Sequence, residues 1–170
     1  MHPMTRRNLI VKPARAAALS VLSIAVLGPA RALADACAPA GDAAALLDRY
    51  MAAVNAHDLS SFPELFAETY IQHSGRSPSG LAGQIANFRN ILETWPDFHW
   101  QIEDRIISGD KIAARTTISG THSRVVMDIA PTGRRVAIGT MDIWRVADGK
   151  FAEHWDLVDV PSLQKQLRGD

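Results

Sequence analysis

The stretch Thr140-Met141-Asp142-Ile143-Trp144-Arg145-Val146-Ala147-Asp148-Gly149-Lys150-Phe151-Ala152-Glu153-His154-Trp155-Asp156 decides the fold. Polar and apolar residues alternate on both sides of Asp148-Gly149, the pattern of two half-buried strands joined by a tight hairpin. Two loops compete for this turn. A two-residue Asp148-Gly149 turn pairs Ala147 with Lys150 and sets Asp142 opposite Trp155. A three-residue loop with Gly149 left-handed pairs Val146 with Lys150, which sets Asp142 opposite His154 and Thr140 opposite Asp156. The second is favoured because it separates the faces. Thr140, Asp142, His154 and Asp156 then share one side, and Met141, Ile143, Trp155, Leu157 and Phe151 share the other.

Working outward, period-two runs occupy 98–108, 111–122, 135–146 and 151–159, parted by Ser108-Gly109-Asp110, Pro131-Thr132-Gly133 and Ala147-Asp148-Gly149. Upstream the period is helical. Asp42 caps a helix with Leu46, Leu47, Tyr50, Met51 and Val54 on one face, ending near Asn55-Ala56-His57. A short helix follows Asp58, with Pro63 early in it. A third helix over 80–94 carries Leu81, Ile85, Phe88 and Leu92, and Trp95-Pro96-Asp97 stops it. A last helix follows Pro161, over 162–168. Helices first and strands after predict an α+β domain over 35–170.

Residues 1–34 hold Arg6, Arg7, Lys12, Arg15 and Arg31 and no acidic residue. An apolar run from Ala16 to Leu27 follows, then Ala32-Leu33-Ala34, small residues suited to cleavage before Asp35. This reads as a signal peptide, and the Arg6-Arg7 pair favours the twin-arginine route, so the domain is expected to be exported to the periplasm or beyond. The run is short for a permanent span, which needs roughly 20 apolar residues. A transmembrane anchor and lipidation at Cys37 are the competing readings. Without the leader the chain keeps 13 basic against 18 acidic residues, a net charge of −5, which speaks against nucleic acid as a partner. A lone cysteine forms no internal disulfide, so the core must hold the domain.

Eight segments then carry a resemblance: Asn55-Ala56-His57-Asp58-Leu59, Tyr70-Ile71-Gln72-His73, Trp95-Pro96-Asp97-Phe98, Gly109-Asp110-Lys111-Ile112-Ala113-Ala114-Arg115, Gly120-Thr121-His122, Pro131-Thr132-Gly133-Arg134, Asp142-Ile143-Trp144-Arg145-Val146 and Glu153-His154-Trp155-Asp156. In this order and spacing the chain resembles the SnoaL-like polyketide cyclases and ester cyclases of the nuclear-transport-factor-2-like superfamily. The resemblance implies a cone: a curved antiparallel sheet wrapped by the N-terminal helices and enclosing an apolar pocket. It also implies a cofactor-free aldol ring closure in which an Asp on the last strand is the general acid/base, and Asp156 stands at that position. Such cyclases place a Gln and a His on the preceding strand, where this chain has Thr140 and Asp142.

The chemistry expected of the cluster follows from burial. A carboxylate in an apolar pocket beside a second carboxylate has its charged form disfavoured twice, raising its pKa from about 3.9 and making it a usable base. Asp156 is therefore the expected base, with Asp142 and His154 beside it; Asp142 and His154 read equally well as a structural ion pair. Tyr50, His73, Thr140, Trp144 and His122 are the expected substrate-binding residues, with His73, His154 and Thr140 as donors to an enolate. Arg115, mid-strand, reads as a surface or structural residue. No His pair stands at metal-ligand spacing, so no metal is expected. The expected partner is an apolar ketone or ester. A non-catalytic, exported small-molecule-binding protein of the same fold is the alternative. The apolar hairpin face predicts a homodimer formed sheet to sheet.

Overall fold

The computed structural model describes residues 40–170. The leader read over 1–34, its cleavage point and Cys37 lie outside the described residues. The order of elements is α1 (Ala40–Asn55), α2 (Phe62–Leu65), β1 (Phe66–Gln72), α3 (Leu81–Thr94), β2 (His99–Ser108), β3 (Lys111–Thr121), β4 (Arg135–Ala147), β5 (Lys150–Val158) and α4 (Val160–Arg168).

The strands form one curved, open sheet in the order β1-β5-β4-β3-β2. Three hairpin-like neighbours pair antiparallel, but β1 runs parallel to β5, so the sheet is mixed where an antiparallel one was expected. The physical reason is connectivity. No turn ties β1 to β5; β1 arrives from α2 and its direction is set by where that helix ends.

The α1 stripe is as its periodicity predicts, with Leu46, Leu47, Tyr50, Met51 and Val54 all buried. Tyr50 is the hub. Its ring lies 5.1 Å from Phe66, 5.3 Å from Phe151, 5.6 Å from Trp100 and 5.9 Å from Phe88. Edge contacts of this kind add about 0.5–1.5 kcal/mol each beyond area burial, so this cluster ties α1, α3 and three strands together. Gly120 permits a further close approach, because a Cβ there would sit 3.0 Å from the Trp95 side chain. The Trp95-Pro96-Asp97 corner is then fastened to β3 by Asp97, whose carboxylate accepts from Thr121 N (2.5 Å) and Oγ1 (2.9 Å).

The β4–β5 turn corrects the expected register. Asp148 and Gly149 both have positive φ, 51° and 72°, which is the two-residue turn whose twist matches the strands. Ala147 pairs with Lys150 and Val146 with Phe151. The register then shifts by one residue, and beyond the bulge Arg145 pairs with Glu153, Trp144 with His154, Asp142 with Asp156 and Thr140 with Val158. Neither of the two expected registers is the observed one past the bulge. The extra residue reverses the parity that a two-residue turn imposes, so Thr140, Asp142, His154 and Asp156 still share a face. Phe151 lies on the turn side of the bulge and is therefore turned inward and fully buried, on the face opposite to the one expected.

Candidate active site

Beneath α3 the concave face of the sheet encloses a cavity of about 260 Å³. One end is aromatic, walled by Phe88, Trp95, Phe98 and Trp100. The other end is polar, where Thr140, Asp142, His154 and Asp156 come together from β4 and β5.

A chain of hydrogen bonds fixes this polar end. The Ser74 amide donates to Gln72 Oε1 (3.4 Å), which orients the Gln72 amide so that Nε2 donates to His154 Nδ1 (3.1 Å). His154 therefore carries its proton on Nε2 and donates it to Asp142 Oδ1 at 3.1 Å. The other oxygen of Asp142 accepts from Thr140 Oγ1 (2.5 Å), with Thr116 Oγ1 at 3.2 Å. Trp100 Nε1 donates to Thr116 at 2.7 Å. The His154 ring lies flat on Trp144, centroids 4.9 Å apart and planes within 1°. Asp142 is thus a fully bonded, buried anchor whose acceptors are all committed inside the protein.

Asp156 differs. Its side chain is 9% exposed, Oδ2 is paired with the Arg76 guanidinium, and Oδ1 is buried with no hydrogen-bond partner among the described residues. A buried oxygen without a donor costs about 1–3 kcal/mol, and such atoms mark sites where a bound group completes the bonding. Arg76 comes from the loop between β1 and α3, which also sends Ser74 and Ser77 to the cavity wall.

Of the expected substrate-binding residues, Tyr50 and Thr140 line the cavity. The Tyr50 hydroxyl accepts from Gln84 Nε2 (3.3 Å), and burial pushes its pKa well up, with Tyr70 and Asp142 nearby adding to the shift. Trp144 lies behind His154 in the core and does not line the cavity. His73 is on the outer face of the sheet, bonded to Glu153 Oε2 (2.8 Å) and stacked on Trp155 at 4.3 Å. His122 is fully buried against Trp95, 5.3 Å between rings, and its Nδ1 accepts from the Thr132 amide (3.2 Å). The structure thus gathers Asp156, Asp142, His154, Thr140 and Tyr50 and leaves the other three elsewhere. Arg115 is on the surface, paired with Asp104 at 2.8 Å.

Gln72, Gln84 and Arg76 were not singled out in the sequence reading. Gln72 follows Tyr70 at strand period, and Gln84 stands four residues before Phe88 on the inward stripe of α3, so both had a periodic signal. Arg76 had none, because a loop residue's aim has no period.

A cone of helices on a curved sheet, holding a cavity with two carboxylates and an imidazole at one end, is the class of protein these features define. Residues 44–167 match the SnoaL-like polyketide cyclase family, and the chain belongs to it. No curated protein matches the chain. Among solved structures it is similar to TsrD from Streptomyces laurentii, at 31% identity over 75% of this chain and 95% of that one, with a TM-score of 0.70. It is similar also to AclR from Streptomyces galilaeus, designated a "putative hydroxylase", at 26% identity over 78% and 84% of the two chains, TM-score 0.69. IdmH from Streptomyces antibioticus, designated a "putative polyketide cyclase", is 27% identical over 74% and 97%, TM-score 0.64.

Proposed function

We propose that this protein is a cyclase- or isomerase-type enzyme that moves a proton, without a cofactor, on an apolar ketone or ester, by aldol-type ring closure or isomerisation. The observation that carries the reading is Asp156: a carboxylate in the cavity wall with one oxygen held by Arg76 and the other unpartnered. In this reading Asp156 takes a proton α to the carbonyl and returns it. The enolate oxygen is met by the Arg76 guanidinium, which already reaches that end of the cavity. Asp142 and His154 act as its rigid support, since their polar atoms are occupied by each other and by Gln72, Thr140 and Thr116.

The test is exchange of the α-protons of 2-acetylnaphthalene in D₂O, followed by proton NMR. Protein-dependent deuteration that disappears in Asp156→Asn is expected; exchange that persists in the variant refutes Asp156 as the base. One observation favours the non-catalytic alternative. A guanidinium paired with a carboxylate stabilises its charge and makes it a weaker base, as suits a container with an ion pair in its wall. Binding of the ketone with no exchange in either protein is the outcome that selects it.

Export through the leader read over residues 1–34 completes the proposal, with the mature chain beginning at Asp35. N-terminal sequencing of protein recovered from the periplasm checks it, and an intact Met1 there refutes cleavage.

A further inference from the structure

A second, smaller compartment of about 70 Å³ adjoins the cavity. The two have Trp95, Phe98, Ile118 and Val158 in both linings, so the second lies against the aromatic end of the first. Beyond these shared residues the lining is Val136 and Ile138 of β4 and Leu163 of α4. Ser119 contributes its backbone, for its hydroxyl is turned out to Arg135 Nη2 at 3.3 Å.

The compartment has built walls. Alpha-helix α4 is started by Asp159, which accepts from the Ser162 amide at 3.0 Å and hydroxyl at 2.6 Å. It is fastened to β4 by the Gln166 amide, which donates to Ala137 O and accepts from Ala137 N, both at 2.9 Å. Leu167 is buried beneath it. A space lined by Val, Ile and Leu offers water too few partners to hold it, and every unfilled wall atom forgoes dispersion contacts. An aliphatic group is what such a space accepts.

Position along the strands relates it to the acid/base cluster. On the inward face of β4 the order is Asp142, Thr140, Ile138, Val136, and on β5 Val158 lies one inward step beyond Asp156. At about 3.4 Å per residue, Ile138 is about 14 Å along the strand from Asp142. We propose that the ligand carries a straight aliphatic arm, an acyl or alkyl chain, which passes Val158 and ends under α4 while its carbonyl stands at Asp156. The inference rests on the proposed role of the Asp156 end and adds the shape of the ligand: a polar head with a chain, rather than a compact ring alone.

The experiment is calorimetric binding of 2-hexanone, 2-octanone, 2-decanone and 2-dodecanone to the wild type, Val136→Phe and Leu163→Trp. The two variants fill the compartment from opposite walls, so a folding defect in one leaves the other to decide. In the wild type each methylene that enters gains up to about fourfold in affinity. In the filled variants 2-hexanone keeps its affinity and the gain for 2-decanone and 2-dodecanone is lost. A wild type that binds 2-hexanone but gains nothing from longer chains, or variants that keep the gain, overturns the arm and leaves the proton-transfer reading standing. Failure of every ketone to bind the wild type overturns both.

Discussion

Replacing Arg76 by Gln removes the guanidinium paired with Asp156 while keeping a polar side chain on the loop. A cation beside a carboxylate lowers its pKa by about 1–3 units, and each unit is about 1.4 kcal/mol. The Asp156 side chain is 9% exposed and that of Arg76 46%, so nearly half of the arginine side chain faces water and the field of its charge is screened accordingly. The direction follows: without the guanidinium the charged form of Asp156 loses its partner, and its titration midpoint is expected to rise in the variant. Asp142 faces Asp156 across the β4–β5 pair and drives the same way once Arg76 is gone, and His154 and Tyr50 are the other titratable groups lining this part of the cavity. Adding Asp142→Asn to the variant therefore brings the midpoint part of the way back. Carboxyl ¹³C titration measures this without any ligand, with Asp156→Asn identifying the signal. The sign for stability is fixed too. Arg76 favours the charged form, so its contribution is present above the unfolded midpoint of about 3.9 and is lost as pH falls through the folded one. A midpoint that moves by less than about 0.3 unit, or downward, refutes the coupling.

Three further outcomes are expected. Glu153 accepts from His73 Nε2 at 2.8 Å and Arg145 Nε at 2.6 Å, and these bonds hold its carboxyl below the usual value. Glu153→Gln should lower the urea midpoint at pH 7, the difference closing below about pH 4 as the wild-type carboxylate is protonated through its lowered pKa; a difference constant with pH counts against this. The Tyr70 hydroxyl is buried with no partner among the described residues, so Tyr70→Phe should leave thermal stability unchanged or raise it by up to about 1 kcal/mol, and a loss larger than about 1 kcal/mol would show a bond the structure lacks. We propose finally that the outer sheet face closes a homodimer, because Leu157 (75% exposed), Met141 (52%) and Ile143 (43%) stand together on it. Sedimentation should give a dimer for the wild type and a monomer for Leu157→Glu, and a monomeric wild type at micromolar concentration ends the proposal.

Much of the fold is legible in the residues, because helices and hairpins are local patterns and this chain keeps to them. The change from helical to strand period at Phe98, the Asp148-Gly149 turn and the buried stripe of α1 all have periodic signals. Strand β1 was harder. Phe66-Ala67-Glu68-Thr69-Tyr70 shows its alternation only weakly, and its partner β5 lies about 80 residues away, so nothing local announces a parallel neighbour. Arg76 was illegible for a related reason. Its pairing with Asp156 joins a loop to the last strand, and only the closed cone brings them together.

The hairpin shows how a correct face can follow from an incorrect register. Alternation alone asks that Thr140, Asp142, His154 and Asp156 lie together, and a three-residue loop is the shortest local device that satisfies it. The chain uses a two-residue turn and a bulge instead, which meets the same demand. The difference between the devices is Phe151. In a regular strand, residues three apart such as Phe151 and His154 face opposite ways, so both can be buried on the concave side only if an extra residue lies between them. Phe151 joins the ring cluster around Tyr50, and leaving so large an aromatic on the outer face would forfeit about 1.5–3 kcal/mol of burial. The core thus selects the bulge, and the bulge sets Asp156 across from Asp142 rather than from Thr140. Two carboxylates placed directly opposite repel one another, which makes a counter-ion at Asp156 the economical solution and accounts for an arginine reaching over the cavity from a loop.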